Sequence, residues 1–414
     1  MRPVTVVLAG VVAATFVSAS SFAADGGTFR YRHGLPPVLE QEVGYLGSRE
    51  LKPAEQKPEV KAEPRYEGTP VYFLIELGEK GSPPYVAAYD PKGADGKGAV
   101  YFDLDQDGDL AEEEPILPQS WGGTENFGPI TVKLARDGFT GLYHCWMQRQ
   151  ALTAFTSFSR EEQTVGYRWS LRAGCYNVGE ITFEGKTYKA ALVDNLPNGR
   201  FNDVCWASSG QGDLLYVDWN GDGKFDRSPS EYVMCGERYW RAGKWYRLHF
   251  STDGTEVTFA PGDFEFAPLV VGHEKFWMQL TSRSNTGSTN FEATGGRVDV
   301  PVDEYSLFDC WLEAKDAQGN TWRAESGSGP FTIFRVEAGK ENHFQFGPPF
   351  KVSLVPGSEG PYKAGQTITF TAQVAGADGK NYRFTRSGQP MPAPKMTMKD
   401  ESGKELGTYQ FQYG

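Results

Sequence analysis

The chain has no stretch of a dozen residues in which apolar side chains recur at the i, i+3, i+4, i+7 spacing of an amphipathic helix. Instead, short runs rich in aromatic and β-branched residues alternate with turns that contain glycine. Examples are the run at 71–77 and the runs at 181–183 and 187–192, which flank a Glu-Gly-Lys turn. This pattern predicts an all-β protein of short antiparallel strands.

With 414 residues, the chain is too long for one small domain, and its 14% of aromatic residues is enough to fill packed cores. Changes in composition along the chain divide it into five segments. We expect a signal peptide at 1–23, a poorly ordered segment with a Pro/Glu/Lys linker at 24–65, a β-rich domain at 66–261, a β-sandwich-like module at 262–346, and a C-terminal β module at 347–414.

The first residues have the pattern of a secretory signal. Arg2 precedes an uncharged run over 4–24, and its apolar part is shorter than the roughly 20 residues needed to cross a bilayer. The small-x-small triplet that ends at Ala23 marks the expected cleavage site. We therefore expect an exported protein, in the periplasm, at the cell surface or outside the cell, with no transmembrane anchor in the mature chain.

The charge balance narrows the class of ligand. The chain has 41 basic and 53 acidic residues, for a net charge of −12. An acidic chain without a basic patch argues against nucleic-acid binding. The same excess of carboxylates suits a protein that holds cations.

Five cysteines lie beyond the predicted signal peptide, and none belongs to a Cys-x-x-Cys motif. An oxidising compartment would allow one or two disulfides and would leave at least one cysteine unpaired. We favour buried apolar thiols for these residues, which are Cys145, Cys175, Cys205, Cys235 and Cys310.

One motif in the sequence indicates binding of a metal cation. Residues 103–114 match D-x-D-x-D-G-x₅-E, in which carboxylates at positions 1, 3 and 5 converge on a cation while the glycine at position 6 allows a sharp turn. Position 7 offers a backbone carbonyl, and an acid at position 12 closes the shell. The candidate ligands are Asp103, Asp105, Asp107, Asp109 and Glu114.

A second copy of the motif begins at Asp218. Position 12 of this copy is Pro229, and Glu231 two residues later is a plausible substitute. The candidate ligands of the second copy are Asp218, Asn220, Asp222, Lys224 through its carbonyl, Asp226 and Glu231.

A third and degraded copy lies 24 residues upstream of the second. It keeps Asp194, Asn198 and Asn202 as candidate ligands, but Leu196 occupies position 3. This copy either binds an ion weakly or only shapes a turn, since Asp, Asn and Gly are also ordinary turn residues.

Each copy follows an apolar strand-like run, which places it at the end of a strand. Pro115 follows the first motif at once and Pro229 interrupts the exit from the second, so neither loop can lead into the helix of a helix-loop-helix hand. We therefore predict loops that join β-strands.

These loops resemble the EF-hand-type calcium loops of many secreted bacterial proteins. The pair at 194–202 and 218–226, with Asn-Gly-x-Phe and Asp-Gly-x-Phe cores, resembles an arrangement in uncharacterised exported bacterial proteins. The resemblance implies Ca²⁺ as the bound ion, in a structural role, and calcium modules outside the cell usually bind it at millimolar or slightly lower concentrations.

The chain shows no catalytic motif: it lacks a Gly-x-Ser-x-Gly elbow, a phosphate-binding loop and a dinucleotide fingerprint, and its five histidines are isolated. We therefore expect a calcium-binding protein that is not an enzyme, with a binding or structural role at the cell envelope and possible contact with another envelope protein. The alternative is a carbohydrate-binding or polysaccharide-active surface protein, in which a glycan would contact exposed tryptophans such as Trp240, Trp245, Trp277 and Trp322.

Overall fold

The computed structural model describes residues 25–93, 96–136, 138–155, 162–206, 211–226, 230–284, 286–327, 331–363 and 366–412. Most of these residues lie in antiparallel strands, and the described part contains a single helix, so the all-β prediction is confirmed. The predicted signal peptide and its cleavage site lie outside the described residues. The helix that is described is too short to cross a membrane.

Among the described residues up to 261, the chain forms sixteen strands and the helix α1 (Pro36–Val43). The strands are β1 (Asp25–His33), β2 (Ser48–Leu51), β3 (Val71–Ile75), β4 (Tyr85–Asp90), β5 (Ala99–Phe102), β6 (Pro118–Trp121), β7 (Thr124–Arg136), β8 (Phe139–Phe155), β9 (Glu162–Ala173), β10 (Cys175–Phe183), β11 (Lys186–Val193), β12 (Leu214–Val217), β13 (Tyr232–Met234), β14 (Arg238–Arg241), β15 (Lys244–Phe250) and β16 (Glu256–Pro261).

These strands build three sheets around one hydrophobic core. The largest sheet has the order β13-β12-β11-β10-β1-β16-β15-β14, the second has the order β2-β9-β8-β7-β6, and the third has the order β3-β4-β5. Aromatic side chains from all three meet inside, for example Phe73, Trp169 and Phe259. Residues 25–261 therefore form one unit.

The N-terminal segment differs from the prediction. Residues 24–65 were expected to be poorly ordered, yet β1 lies inside the largest sheet and pairs antiparallel with β10 and β16. The strand has few apolar residues, but Gly26 and Gly27 let the neighbouring backbones approach closely. Helix α1 then buries Leu39 and Val43 against Tyr176 and Tyr216. Pairing with strands distant in sequence therefore orders a segment whose composition resembles a linker.

The part of the second half that the structure describes contains fourteen strands. They are β17 (Phe266–Val270), β18 (Lys275–Ser282), β19 (Ser288–Thr294), β20 (Arg297–Pro301), β21 (Asp303–Lys315), β22 (Thr321–Ser326), β23 (Thr332–Val336), β24 (Asn342–His343), β25 (Lys351–Pro356), β26 (Phe370–Ala375), β27 (Tyr382–Arg386), β28 (Gln389–Pro390), β29 (Lys395–Lys399) and β30 (Glu405–Gln410).

A seven-stranded sheet with the order β19-β18-β21-β22-β27-β28, in which β23 also pairs with β21, packs against the three-stranded sheet β20-β17-β24. This arrangement agrees with the sandwich-like module predicted for 262–346. The predicted boundary at 346/347 does not separate two modules, because β27 pairs with β22 and Tyr382 lies in the shared core. Among the later strands, β25 pairs with β26 and β29 with β30.

All five cysteines are buried free thiols, as their apolar surroundings indicated. Burial is the main reason why the pKa of Cys145, Cys205, Cys235 and Cys310 is raised. These thiols therefore stay protonated near neutral pH and act as small apolar side chains.

The close approach at Gly27 gives a direct test of the position of β1. A Cβ atom at Gly27 would lie 2.2 Å from the carbonyl oxygen of Glu180, so the strands would have to separate. We expect Gly27→Ala to lower the free energy of unfolding by about 1–3 kcal/mol in urea denaturation. Gly166→Ala, in β9, is the matched control because no atom lies within 4 Å of its added Cβ. Equal stability of the two variants would contradict the central position of β1.

Candidate metal centre

The loop at 103–114 leaves the end of a buried strand and turns around one carboxylate. All four residues of β5 are buried, and Asp103, which follows them, is 3% exposed. Oδ2 of Asp103 accepts a hydrogen bond from the backbone N–H of Gly108 at 3.1 Å. Gly108 has a φ of +84°, which explains the glycine at the sixth position of the motif. The expected strand-end position of this loop is thus confirmed.

Two groups of acidic side chains form on this loop. Oxygen atoms of Asp103, Asp105 and Glu113 lie within 4.8 Å of one another, and so do those of Asp105, Asp107 and Glu112. Oδ1 of Asp103 is buried and has no hydrogen-bond partner. A buried carboxylate oxygen without a partner is costly, so this atom is suited to bind a cation. Both groups could hold a metal ion.

The carboxylates of this loop repel one another electrostatically. Burial raises the pKa of Asp103, and repulsion by Asp105 and Asp107 raises it further. Burial also raises the pKa of Glu113, with added repulsion from Asp103 and Asp105. The pKa of Glu112, at the exposed edge, is raised mainly by the charge of Asp107. A cation placed among these groups would reverse each of these repulsive effects.

The structure brings together a different set of acids from the one that the motif gives. Glu114, the predicted ligand at position 12, is exposed and belongs to neither group. Glu113 belongs to the group of Asp103 and Asp105 instead, and its Oε1 accepts the N–H of Leu104 at 2.7 Å. The carboxylate of Asp109 accepts the N–H of Ala111 at 2.9 Å and so caps a turn. Counting twelve positions missed Glu113 because the chain leaves this loop through a turn and bends instead of a helix.

The predicted linker holds this loop in place. The N–H of Lys61 donates to the carbonyl of Gly108 at 2.7 Å, and the N–H of Leu110 donates to the carbonyl of Ala62 at 3.0 Å. Leu110 is fully buried beside Tyr101. Residues 61–62 therefore pair with the loop as a short strand would.

The second loop follows β12 in the same manner. Oδ1 of Asp218 accepts the N–H groups of Gly221 and Asp222 at 2.8 and 3.0 Å, and Oδ2 accepts the N–H of Gly223 at 2.9 Å. Asn220 and Asp222 cap the next turns, because their Oδ1 atoms accept the N–H groups of Asp222 and Lys224. The second loop therefore has the motif's backbone turn.

The predicted substitute ligand Glu231 lies at the exit of the second loop. Its Oε2 accepts the N–H of Asp226 at 3.0 Å, while its Oε1 is buried and has no hydrogen-bond partner. Within the described part of the chain, the acids of this loop do not form a group of three within ligand distance. One reason is that Asn220 stands where the first loop has Asp105.

The third loop is held together by hydrogen bonds to Asp194. Oδ2 of this fully buried side chain accepts the Tyr143 hydroxyl at 2.8 Å and the N–H groups of Asn198 and Gly199 at 3.0 and 2.7 Å. The side-chain amide of Asn202 donates to Oγ1 of Thr252 at 3.0 Å. Tyr143, which the motif did not indicate, thus takes the place of a ligand.

A second buried acid lies beside the third loop and was not anticipated. Asp213 is fully buried, and its carboxylate accepts the N–H groups of Asn195 and Asp203 at 2.9 and 2.8 Å. Burial raises the pKa of Asp194 to about 6, and burial together with repulsion from Asp194 raises the pKa of Asp213 further. Burial and mutual repulsion therefore shift this pair toward the protonated form.

Comparisons of the chain with protein-family models, with curated proteins and with solved structures found no match.

The raised pKa of Asp194 predicts a pH dependence of stability. The carboxyl is protonated below about pH 6 in the folded chain and below about pH 3.8 in the unfolded chain, so folding takes up a proton between these values. Stability should fall by roughly 1–3 kcal/mol as the pH rises from about 4 to above 6. Urea denaturation in EDTA at several pH values measures this slope.

Two variants decide whether Asp194 causes the slope. Asp194→Asn keeps an oxygen for the three donors and cannot ionise, so we expect a smaller slope and higher stability at neutral pH. Asp316→Asn is the control, because the hydrogen bond from Trp322 helps to lower the pKa of Asp316 to about 2, below this pH window. An unchanged slope in Asp194→Asn would show that another group is responsible.

Proposed function

We propose that this chain is an exported β protein that binds Ca²⁺ at the loop 103–114 and uses the ion to stabilise its fold. The observation that carries this proposal is the group Asp103, Asp105 and Glu113, in which Oδ1 of Asp103 is buried and unpartnered. The predicted signal peptide supports export.

The donor chemistry favours calcium over other common ions. The acidic groups offer carboxylate oxygens and no nitrogen or sulfur, a donor set that suits hard cations. Calcium accepts six to eight oxygens in flexible geometry, including water, whereas magnesium requires a near-ideal octahedron. Asp105 and Glu112 are exposed, which leaves room for water molecules in the shell.

The ion would act by removing a repulsion that the fold itself creates. Pairing of β4 with β5 and burial of Leu110 bring the carboxylates together whether or not a cation is present. Binding to the folded chain alone stabilises it by RT ln(1 + [Ca²⁺]/Kd). With Kd values of about 10⁻⁴–10⁻³ M, the millimolar calcium outside cells would occupy most of the site.

The structural effect of the ion would reach beyond the loop. Lys61 and Ala62 pair with the loop, and neighbouring Val60 and Tyr66 pack on the small cluster around Tyr101. Holding the loop in shape would therefore hold the segment before β3 against the sheet β3-β4-β5. This role suits a protein that keeps a fixed shape at the cell envelope.

The second loop is assigned as a further calcium site. The backbone turn around Asp218 and the unpartnered Oε1 of Glu231 support this assignment. The third loop is assigned as a turn without an ion, because the Tyr143 hydroxyl and two backbone N–H groups already occupy Oδ2 of Asp194. Burial raises the pKa of Asp194, so its unpartnered Oδ1 takes up a proton more readily than an ordinary carboxylate does.

Calcium should raise thermal stability, and Asp103 should carry much of the effect. In about 10 mM Ca²⁺ each site should add about 1.4–2.7 kcal/mol relative to EDTA. The corresponding rise in melting temperature is roughly 3–10 °C. Asp103→Asn should lose the part that belongs to the first loop, while Asp316→Asn should keep the whole shift. A wild-type melting temperature that is the same in calcium and in EDTA would overturn the proposal.

Substitutions of two adjacent glutamates distinguish the ligand set that the structure brings together from the one that the motif spacing predicts. Glu113→Gln should weaken Ca²⁺ binding at the first loop about tenfold or more, because it removes a charge from the group around Asp103. Glu114→Gln should change the affinity by much less. Isothermal titration calorimetry on a background of Asp218→Asn isolates the first loop. The opposite ranking of the two variants would mean that the loop closes as in a helix-loop-helix hand.

A further inference from the structure

A large open cleft lies between the two halves of the fold, away from the loop at 103–114. Its volume is about 1400 Å³, above the roughly 300–1,000 Å³ typical of sites for drug-sized ligands. One wall is the tip of the hairpin β14–β15, and the floor is formed by β18, β19, β21 and β22. Such a cleft suits an extended ligand.

The floor is a polar and aromatic sheet face. Along β18 and β21 the buried residues Phe276, Met278 and Cys310 point into the core, so the residues between them point into the cleft. Trp277 and Trp311 pair directly across these two strands and are both half-buried. Two tryptophans on neighbouring strands therefore form part of the floor.

Acidic side chains flank the two tryptophans in the same row of the sheet. Glu292 pairs with Trp277 on one side, and Glu325 pairs with Trp311 on the other. The guanidinium of Arg323 lies 4.2 Å from the Trp311 ring centre and 3.6 Å from a carboxylate oxygen of Glu325. Hydrogen-bonding groups thus border the aromatic surface at both ends.

The hairpin wall adds another tryptophan. Trp240 packs edge-to-face on Trp245 and Phe291, with ring centres 5.1 and 6.0 Å apart. Trp245 is buried, and its Nε1 donates to the carbonyl of Asp299 at 2.7 Å, which anchors the hairpin to the second half of the chain. The wall is therefore fixed to the floor by buried contacts.

The charges that line the cleft balance. Four basic and four acidic side chains are present, so the lining has no formal net charge. They are Arg241, Lys244, Arg297 and Arg323, with Glu292, Asp299, Asp309 and Glu325.

We propose that this cleft binds an uncharged oligosaccharide. A sugar ring has an apolar C–H face that packs on an aromatic ring and hydroxyl edges that hydrogen-bond to carboxylates and guanidinium groups. Adjacent Trp277 and Trp311 offer the first kind of surface, and Glu292, Arg323 and Glu325 offer the second. Balanced charge favours a neutral chain over an acidic one. This proposal does not depend on calcium binding.

The structure changes the set of tryptophans that are expected to contact a glycan. Trp240, Trp245 and Trp277 line the cleft, although Trp245 is largely buried. Trp322 lies on the other face of β22 from Arg323, and its Nε1 donates to Asp316 at 2.9 Å. Trp311 was not among those suggested, because only strand pairing places it beside Trp277.

Affinity electrophoresis tests the proposal with the full chain. Native gels containing xyloglucan, galactomannan, laminarin, pullulan or the acidic polymer polygalacturonate are compared with a gel without polysaccharide. We expect at least one neutral polymer to retard the wild-type chain and polygalacturonate to leave it unretarded. Trp277→Ala should weaken the binding at least about tenfold, as expected for a central tryptophan.

Matched variants separate binding from folding. Trp322→Ala removes a tryptophan from the opposite face of the same sheet and should leave retardation unchanged. Glu292→Gln alters an exposed side chain in the row and should weaken binding without lowering the melting temperature. The proposal is overturned by no retardation on any neutral polymer, by retardation on the acidic polymer alone, or by equal binding of wild type, Trp277→Ala and Glu292→Gln.

Discussion

The fold depends on carboxylates that are buried at the ends of strands and must be neutralised there. Asp103, Asp194 and Asp218 each follow a buried strand, and each accepts the N–H of the glycine five residues later, at 3.1, 2.7 and 2.9 Å. This shared hydrogen bond fixes the turn but leaves a negative charge away from water. The charge is costly unless a proton or a cation compensates it.

The loops differ in how that charge is compensated. Around Asp194 burial favours a proton and raises the pKa to about 6, whereas the hydrogen bond from the Tyr143 hydroxyl stabilises the ionised carboxylate. Around Asp103 further acids gather, and in our proposal calcium replaces the proton. The loops at Asp194 and Asp218 follow β11 and β12, which run antiparallel, so these loops lie at opposite ends of the strand pair. Their similar sequences reflect a shared turn, and in our proposal only the loop at Asp218 holds an ion.

The loop at Asp218 also approaches the cleft. The guanidinium of Arg241 lies 3.9 Å from the ring centre of Trp219, the second residue of that loop, and Arg241 lines the cleft wall. Trp219 packs in turn on Phe183 and Tyr188 of the largest sheet. The same sheet therefore supports one proposed calcium loop and one wall of the proposed sugar site.

Local features of the molecule were predictable from sequence, and features made by distant pairing were not. Apolar runs, glycine turns and Pro115 were enough to place the loops on strand ends, because each acts over a few residues. The central position of β1, the addition of β27 to the second sandwich, and Glu113 in place of Glu114 depend on strand pairing or on the exit path of a loop. Asp213 likewise meets Asp194 only through the pairing of β11 with β12.

Crystals grown in calcium would test the central claim most directly, through an anomalous difference map recorded at long wavelength. The account predicts a peak about 2.3–2.6 Å from Oδ1 of Asp103 and from carboxylate oxygens of Asp105 and Glu113. Well-ordered carboxylates at this position without an anomalous peak, joined to one another by short hydrogen bonds through shared protons, would contradict it.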